Sequence, residues 1–181
     1  MWKLNITAER RMMSEVVISL GSNKGDRHSF LNDAMTKMKK LGKISSVSPL
    51  YRSSAYGFTD QPDFYNAVII LETDISPESL LKDLKRIELD VGRTETFRWG
   101  PREIDLDIIL YGQVQLHKHE LSIPHPDFQN RIFVLKPLAD IAPEYPVPGE
   151  NVTIRELLNK CQDETIIEIV KKDWYSNGIT I

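Results

Sequence analysis

Residues 103–111 read Glu-Ile-Asp-Leu-Asp-Ile-Ile-Leu-Tyr, a strand-like alternation with two aspartates set inside an Ile- and Leu-rich run. Successive side chains of a strand point to opposite faces, so Asp105 and Asp107 share one face with their α-carbons about 6–7 Å apart. Aspartate is a poor strand former, and two on one face require compensation. A bound cation supplies it: two hard oxygen donors at this spacing hold one or two Mg2+ ions, which favour carboxylates combined with phosphate oxygens and water. An isolated Asp-x-Asp is more often the wet face of an amphipathic strand, so its surroundings decide between the two.

Those surroundings are basic. Arg93, Arg98 and Arg102 precede the strand, and a later polar loop supplies His125 and Arg131. Guanidinium forks and imidazole nitrogens of this kind neutralise a polyphosphate. Phe64, Trp99, Phe128 and Phe133 lie in or beside the polar loops, where a planar heterocycle can stack between rings and an amide such as Asn66 can read its edge. The early turn Gly21-Ser22-Asn23-Lys24-Gly25-Asp26 lacks the Gly-Lys-Ser/Thr ending of a phosphate loop, and Asp26 would oppose a phosphate there. It reads chiefly as a tight strand-to-helix turn.

Residues 15–20 form a buried strand, and Asp26 caps a helix whose Leu31, Ala34, Met35, Met38 and Leu41 share a face, with Gly42 as its left-handed stop. Residues 44–51 and 65–73 are extended. Ser76-Pro77-Glu78 starts a second helix, with Leu80, Leu84, Ile87 and Val91 as its buried stripe and Gly92 at its end. A second β region spans 114–123, a short helix 132–141, and a Thr153/Glu156 capping box opens a last helix, 154–160. The order β-α-β-β-α-β is that of the split βαβ plan, an antiparallel sheet with both helices on one face. One domain, 15–161, is expected between an N-terminal extension, 1–14, and a C-terminal tail, 162–181, in which 166–170 is a further strand without an assignable partner.

With 181 residues, 41% hydrophobic and 27% charged, the chain has an ordinary globular balance and no apolar run able to cross a bilayer. A net charge of -3 argues against a nucleic-acid surface. An RNA-binding module of this topology would need net basicity and an aromatic, glycine-rich strand motif, both missing here. A nucleotidyltransferase with a similar two-carboxylate sheet stays open and would differ by releasing pyrophosphate. Cys161 is the lone cysteine and cannot close an intramolecular disulfide, and the first fifteen residues lack the apolar core of a secretory signal. A reducing cytoplasm is the expected location.

The string Arg98-Trp99-Gly100-Pro101-Arg102-Glu103-Ile104-Asp105-Leu106-Asp107-Ile108-Ile109 resembles the signature of the 6-hydroxymethyl-7,8-dihydropterin pyrophosphokinases. Gly21-Ser22-Asn23, Asp60-Gln61-Pro62-Asp63-Phe64-Tyr65-Asn66, Glu88 with Gly92-Arg93, Pro124-His125-Pro126 and Asn130-Arg131 follow the family's order. The resemblance implies a ferredoxin-like α+β sandwich, mainly antiparallel. It implies transfer of pyrophosphate from ATP to the pterin in folate synthesis; a monomer is expected, and charge and apolar-run length point to neither nucleic acid nor membrane. By the same resemblance Asp105 and Asp107 match the ligands of two Mg2+ ions, and Arg93 and Arg102 match catalytic, triphosphate-engaging arginines. His125 and Arg131 match further phosphate contacts, Glu88 an ATP-side carboxylate, and Ile108 and Ser122 positions near the adenine. Phe64 and Phe133 match the rings that sandwich the pterin and Asn66 the residue bonded to it, with Ser53, Ser54, Tyr56 and Trp99 completing that pocket. Lys85 departs from the glutamine of some relatives.

Overall fold

The computed structural model describes residues 13–55, 60–97 and 100–175. In chain order its elements are β1 (Ser14–Ser22), α1 (Arg27–Met38), β2 (Lys43–Val47), β3 (Leu50–Ser53), β4 (Phe64–Thr73), α2 (Pro77–Val91), β5 (Asp105–Tyr111), β6 (Leu116–His117) and β7 (Ser122–Ile123). There follow a 3-10 turn (Phe128–Asn130), α3 (Ile132–Ile141), α4 (Ile154–Lys160) and β8 (Ile167–Lys171). Val16, Val17, Ile18 and Leu20 of β1 are all buried, and a strand apolar on both faces belongs inside a sheet. It pairs antiparallel with β4 on one side and β5 on the other. The strands run in the order β5-β1-β4-β3-β8, with β2 also pairing β4, and β6 and β7 form a separate small sheet.

Each face of the sheet has its own core. Val16, Ile18, Leu20, Leu106 and Ile108 pack with Leu31, Met35 and Met38 of α1 and Leu80, Leu84 and Ile87 of α2. Val17, Val68, Ile70 and Ile109 pack with Val134, Leu135 and Leu138 of α3 and Ile154 and Leu157 of α4. The split βαβ plan therefore holds for α1 and α2, and two later helices cover part of the opposite face. Asp26 caps α1 by accepting from Ser29 N at 3.0 Å, Gly92 ends α2 at φ 112°, and the Thr153/Glu156 capping box forms on both sides.

Several sequence expectations change. The segment 44–51 is two strands, because Pro49 lacks the N–H a continuous ladder needs, and Ser48 turns inward to accept from Val68 N at 2.9 Å. The Ser76 hydroxyl does not cap α2 but meets Ser79 Oγ at 3.1 Å. Residues 114–123 fold back as the β6–β7 pair. Gly42 is not a left-handed cap; α1 ends at Lys39 with αR geometry. Its role is close approach, since a Cβ there would lie 2.2 Å from the backbone oxygen of Glu72. The tail is docked: β8 pairs with β3, and Trp174 is buried with Nε1 donating to Ser48 O at 2.9 Å. Among the described residues no helix is long and apolar enough to cross a membrane.

Gly42→Ala is expected to destabilise the protein by about 2 kcal/mol through overpacking. Urea titration would show a lower midpoint at unchanged slope; an unchanged midpoint would mean the β2–β4 approach yields freely.

Candidate active site

Three neighbouring strands change character along one face. Val17, Val68, Ile70 and Ile109 belong to the core under α3 and α4. Two residues further along each strand the same face carries Ser19, Asn66 and Asp107, then Gly21, Phe64 and Asp105, as the two-residue side-chain period requires. Register aligns them: Ser19 faces Asp107, and Gly21 lies between Asp105 and Asn66. These residues floor a cavity of about 790 Å3 that Arg131 and Phe133 of the α3 end, His125, Ser53, Ser54, Arg93 and Arg102 also line. That volume suits a small-molecule site. Gly21 keeps the floor open, since a Cβ there would lie 3.4 Å from Asn66 Oδ1 and 3.6 Å from the Phe64 ring.

The acids are held differently. Each oxygen of Asp105 is clasped by an arginine, Arg93 Nη1 at 2.7 Å and Arg102 Nη1 at 2.7 Å. Asp107 receives no hydrogen bond among the described residues, and Lys85 Nζ stands 3.8 Å from its Oδ1. About 34% of the Asp107 side chain opens to the cavity, yet desolvation and then the Asp105 charge push its pKa up, against Lys85, His125 and Arg131. A carboxylate so placed suits a cation. Arg102 Nε is buried without a partner among the described residues, a donor with capacity to spare. His125 is anchored by its N–H to Ile109 O at 2.9 Å. Its Nδ1 accepts from Asp127 N at 3.2 Å, which leaves the neutral ring's proton on Nε2 as a donor. Burial lowers the His125 pKa, favouring that neutral form.

In the floor, Asn66 donates to Ser53 Oγ at 2.8 Å, which fixes its amide. Arg102 lies over the Phe64 ring at 5.8 Å and Arg131 over Phe133 at 6.0 Å. Glu88, expected at the ATP side, is buried and committed to protein groups: Arg93 at 2.6 Å, Lys85 at 2.7 Å and the Leu106 N–H at 2.7 Å. Desolvation raises its pKa. Two expected residues are not brought to the cavity. Ile108 points into the core beneath α1 and α2, one step out of phase with Asp107, and Ser122 sits in the β6–β7 pair away from the lining. Tyr56, Arg98 and Trp99 lie outside the described residues.

Sequence reasoning missed Ser19 and Leu89 in the lining and gave Gln61 and Lys85, noted by resemblance, no role in the site. Period-two counting back from Gly21 would have found Ser19. It also missed Glu103, a buried carboxylate bonded to Lys24 at 2.6 Å and to Thr94 N and Oγ1 at 3.1 and 2.9 Å. Burial opposes its ionisation, but these donors outweigh it and hold its pKa at about 2 against an ordinary 4.5.

The fold places the chain among ferredoxin-like α+β sandwiches: a Plasmodium falciparum HPPK-DHPS crystal structure with pteroate superposes with a TM-score of 0.66 at 19% identity, covering 82% of this chain and 44% of that one. The family model for 7,8-dihydro-6-hydroxymethylpterin-pyrophosphokinase matches residues 17–143, and the chain belongs to that family. It is 41% identical over 157 residues to the 2-amino-4-hydroxy-6-hydroxymethyldihydropteridine pyrophosphokinase of Pseudomonas aeruginosa, covering 86% of this chain and 96% of that protein. The Aquifex aeolicus protein of the same name is 42% identical over 131 residues, 72% of this chain and 82% of its own. The folic acid synthesis protein fol1 of Pneumocystis carinii is 44% identical over 163 residues, which span 89% of this chain and 22% of that longer protein.

Glu103 also yields a pH signature. Its folded pKa lies below its unfolded value, so its stabilisation is present above the unfolded value and is lost as pH falls from 4.5 toward about 2. The stability gap between wild type and Glu103→Gln is expected to close over that window in acid denaturant titrations; a constant gap from about pH 6 to about pH 3 would contradict the assignment.

Proposed function

We propose that this chain transfers pyrophosphate from ATP to 6-hydroxymethyl-7,8-dihydropterin, releasing AMP, as a step of folate synthesis. The observation that carries the reading is the convergence in one cavity of Asp105, Asp107, Arg93, Arg102, His125 and Arg131 with Phe64, Phe133, Asn66 and Ser53. One set of groups suits a polyphosphate and the other a flat, hydrogen-bonding ring.

The donor chemistry fits a pair of Mg2+ ions held by Asp105 and Asp107, both hard-oxygen ligands on one strand face. When bound, such ions neutralise the polyphosphate and help orient it. Arg93 and Arg102 exchange the Asp105 carboxylate for phosphate oxygens, and Arg102 Nε, which has no acceptor among the described residues, gains one. His125 donates through Nε2, and Arg131 adds positive charge from the start of α3. Phe64 and Phe133 clamp the pterin faces while Asn66, Ser53 and Ser54 bond its edge; Tyr56 and Trp99 are assigned to the same side by resemblance. Glu88 contributes to the ATP side by holding Arg93 and Lys85 in place. The hydroxymethyl oxygen attacks the β-phosphorus and gives up its proton to solvent, the bond from that phosphorus to the oxygen bridging the α-phosphate breaks, and AMP leaves with that oxygen. Catalysis consists mainly of positioning and charge neutralisation.

Phosphorus NMR of the protein with ATP, Mg2+ and the reduced pterin is expected to show AMP and a pterin pyrophosphate; free pyrophosphate with a nucleotidylated acceptor would overturn the reading. Asp107→Ala is expected to abolish most turnover while leaving the melting temperature intact, because that carboxylate makes no protein hydrogen bond among the described residues. Arg102→Ala is expected to cost about 2–4 kcal/mol of transition-state stabilisation, and near-normal kcat/KM would remove Arg102 from the catalytic set.

A further inference from the structure

The turn between β1 and α1 lacks a phosphate loop's chemistry, yet its side chains reach across the site. Asn23 is buried and spends its whole amide on two separate loops. Its Nδ2 donates to Gln61 Oε1 at 2.9 Å and to Pro62 O at 3.0 Å. Its Oδ1 accepts from Arg102 N at 2.8 Å, while its own N–H donates to Arg102 O at 3.1 Å. The amide orientation follows from the partners, since the Arg102 N–H can only donate and the Pro62 carbonyl can only accept. Beside it, Lys24 bonds Glu103 at 2.6 Å and Thr94 Oγ1 at 2.9 Å. The turn thus grips the segment 93–102 near both ends, and through Asn23 it also grips the segment that leads into Phe64, where Arg27 at the start of α1 adds a bond from its Nη1 to Asp63 O at 2.8 Å.

Gln61 and Phe64 line the cavity on the ring-binding side, and Arg102 lines it on the phosphate side. We infer that Asn23 is a positioning residue that couples the two halves of the site, so that the loop before Phe64 and the loop carrying Arg102 are set relative to each other through one side-chain amide. The inference deepens the functional reading above and rests on it. A buried amide satisfied on both ends tolerates no slippage of either loop, because a shift leaves a desolvated donor or acceptor unpaired.

The two ends of the amide can be separated. Asn23→Asp keeps an acceptor for Arg102 N but sets an oxygen against Gln61 Oε1 and Pro62 O, whereas Asn23→Ala releases both loops. Calorimetry on the full chain would measure a nonhydrolysable ATP analogue with Mg2+ alone, then the reduced pterin in its presence. For Asn23→Asp, pterin affinity is expected to fall about tenfold, while affinity for the analogue changes less than about twofold. For Asn23→Ala both are expected to weaken, and the steady-state pterin KM should rise for both variants. An equal loss for both ligands in Asn23→Asp, or unchanged binding of both in either folded variant, would overturn the coupling. Failure of the wild-type chain to bind analogue and pterin would instead overturn the functional reading, and the inference with it.

Discussion

Two carboxylates on one face of the edge strand β5 set the terms for everything around them. Asp105 and Asp107 stand where the neighbouring strand β1 offers Ser19 and Gly21, groups that cannot neutralise them. Asp105 is therefore clasped by Arg93 and Arg102, and Asp107 is left to Lys85 at 3.8 Å. Removing an arginine from such a cluster leaves charge poorly compensated in a recessed site. Arg93 and Arg102 are held over this pair in turn, Arg93 by the buried Glu88 and Arg102 by Asn23 of the turn after β1. Glu88 also closes the exposed side of the strand, because the Leu106 N–H points away from β1 and finds the Glu88 carboxylate instead. The sheet edge and the arginine that reaches over it are fixed by the same side chain.

The remainder of the fold serves this edge by asymmetry. On one face α1 and α2 bury an unbroken apolar surface. On the other α3 and α4 stop short, so that the strands run out from beneath their cover and turn polar. A cavity at that boundary keeps a rigid floor, since its residues continue strands whose other halves are locked in the core.

Much of this was legible beforehand because it depends on short-range periodicity. The placement of Asp105 and Asp107 together needs only the two-residue period of a strand, and the capped starts of α1 and α4 need only residues a turn apart. Phe64, Asn66, Arg93, Arg102, His125 and Arg131 were found as polar or aromatic punctuation of apolar elements, and the cavity gathers them. What escaped depends on distant partners. Gly42 reads in sequence as a cap, but its constraint comes from Glu72, thirty positions away in the chain. Asn23 looked like turn chemistry because its partners lie at 61, 62 and 102. Ile108 is placed near the nucleotide by resemblance, while the alternation that puts Asp107 in the cavity turns the Ile108 side chain into the core beneath α1 and α2.

We propose that the arginines on Asp105 are held in reserve for a polyphosphate. A crystal structure with a nonhydrolysable ATP analogue, Mg2+ and the reduced pterin tests it most directly. The expected result is Asp105 parted from Arg93 and Arg102, both acids on metal, and both guanidinium groups on phosphate oxygens. An Asp105 still clasped by the two arginines, with the nucleotide seated elsewhere, would contradict the account.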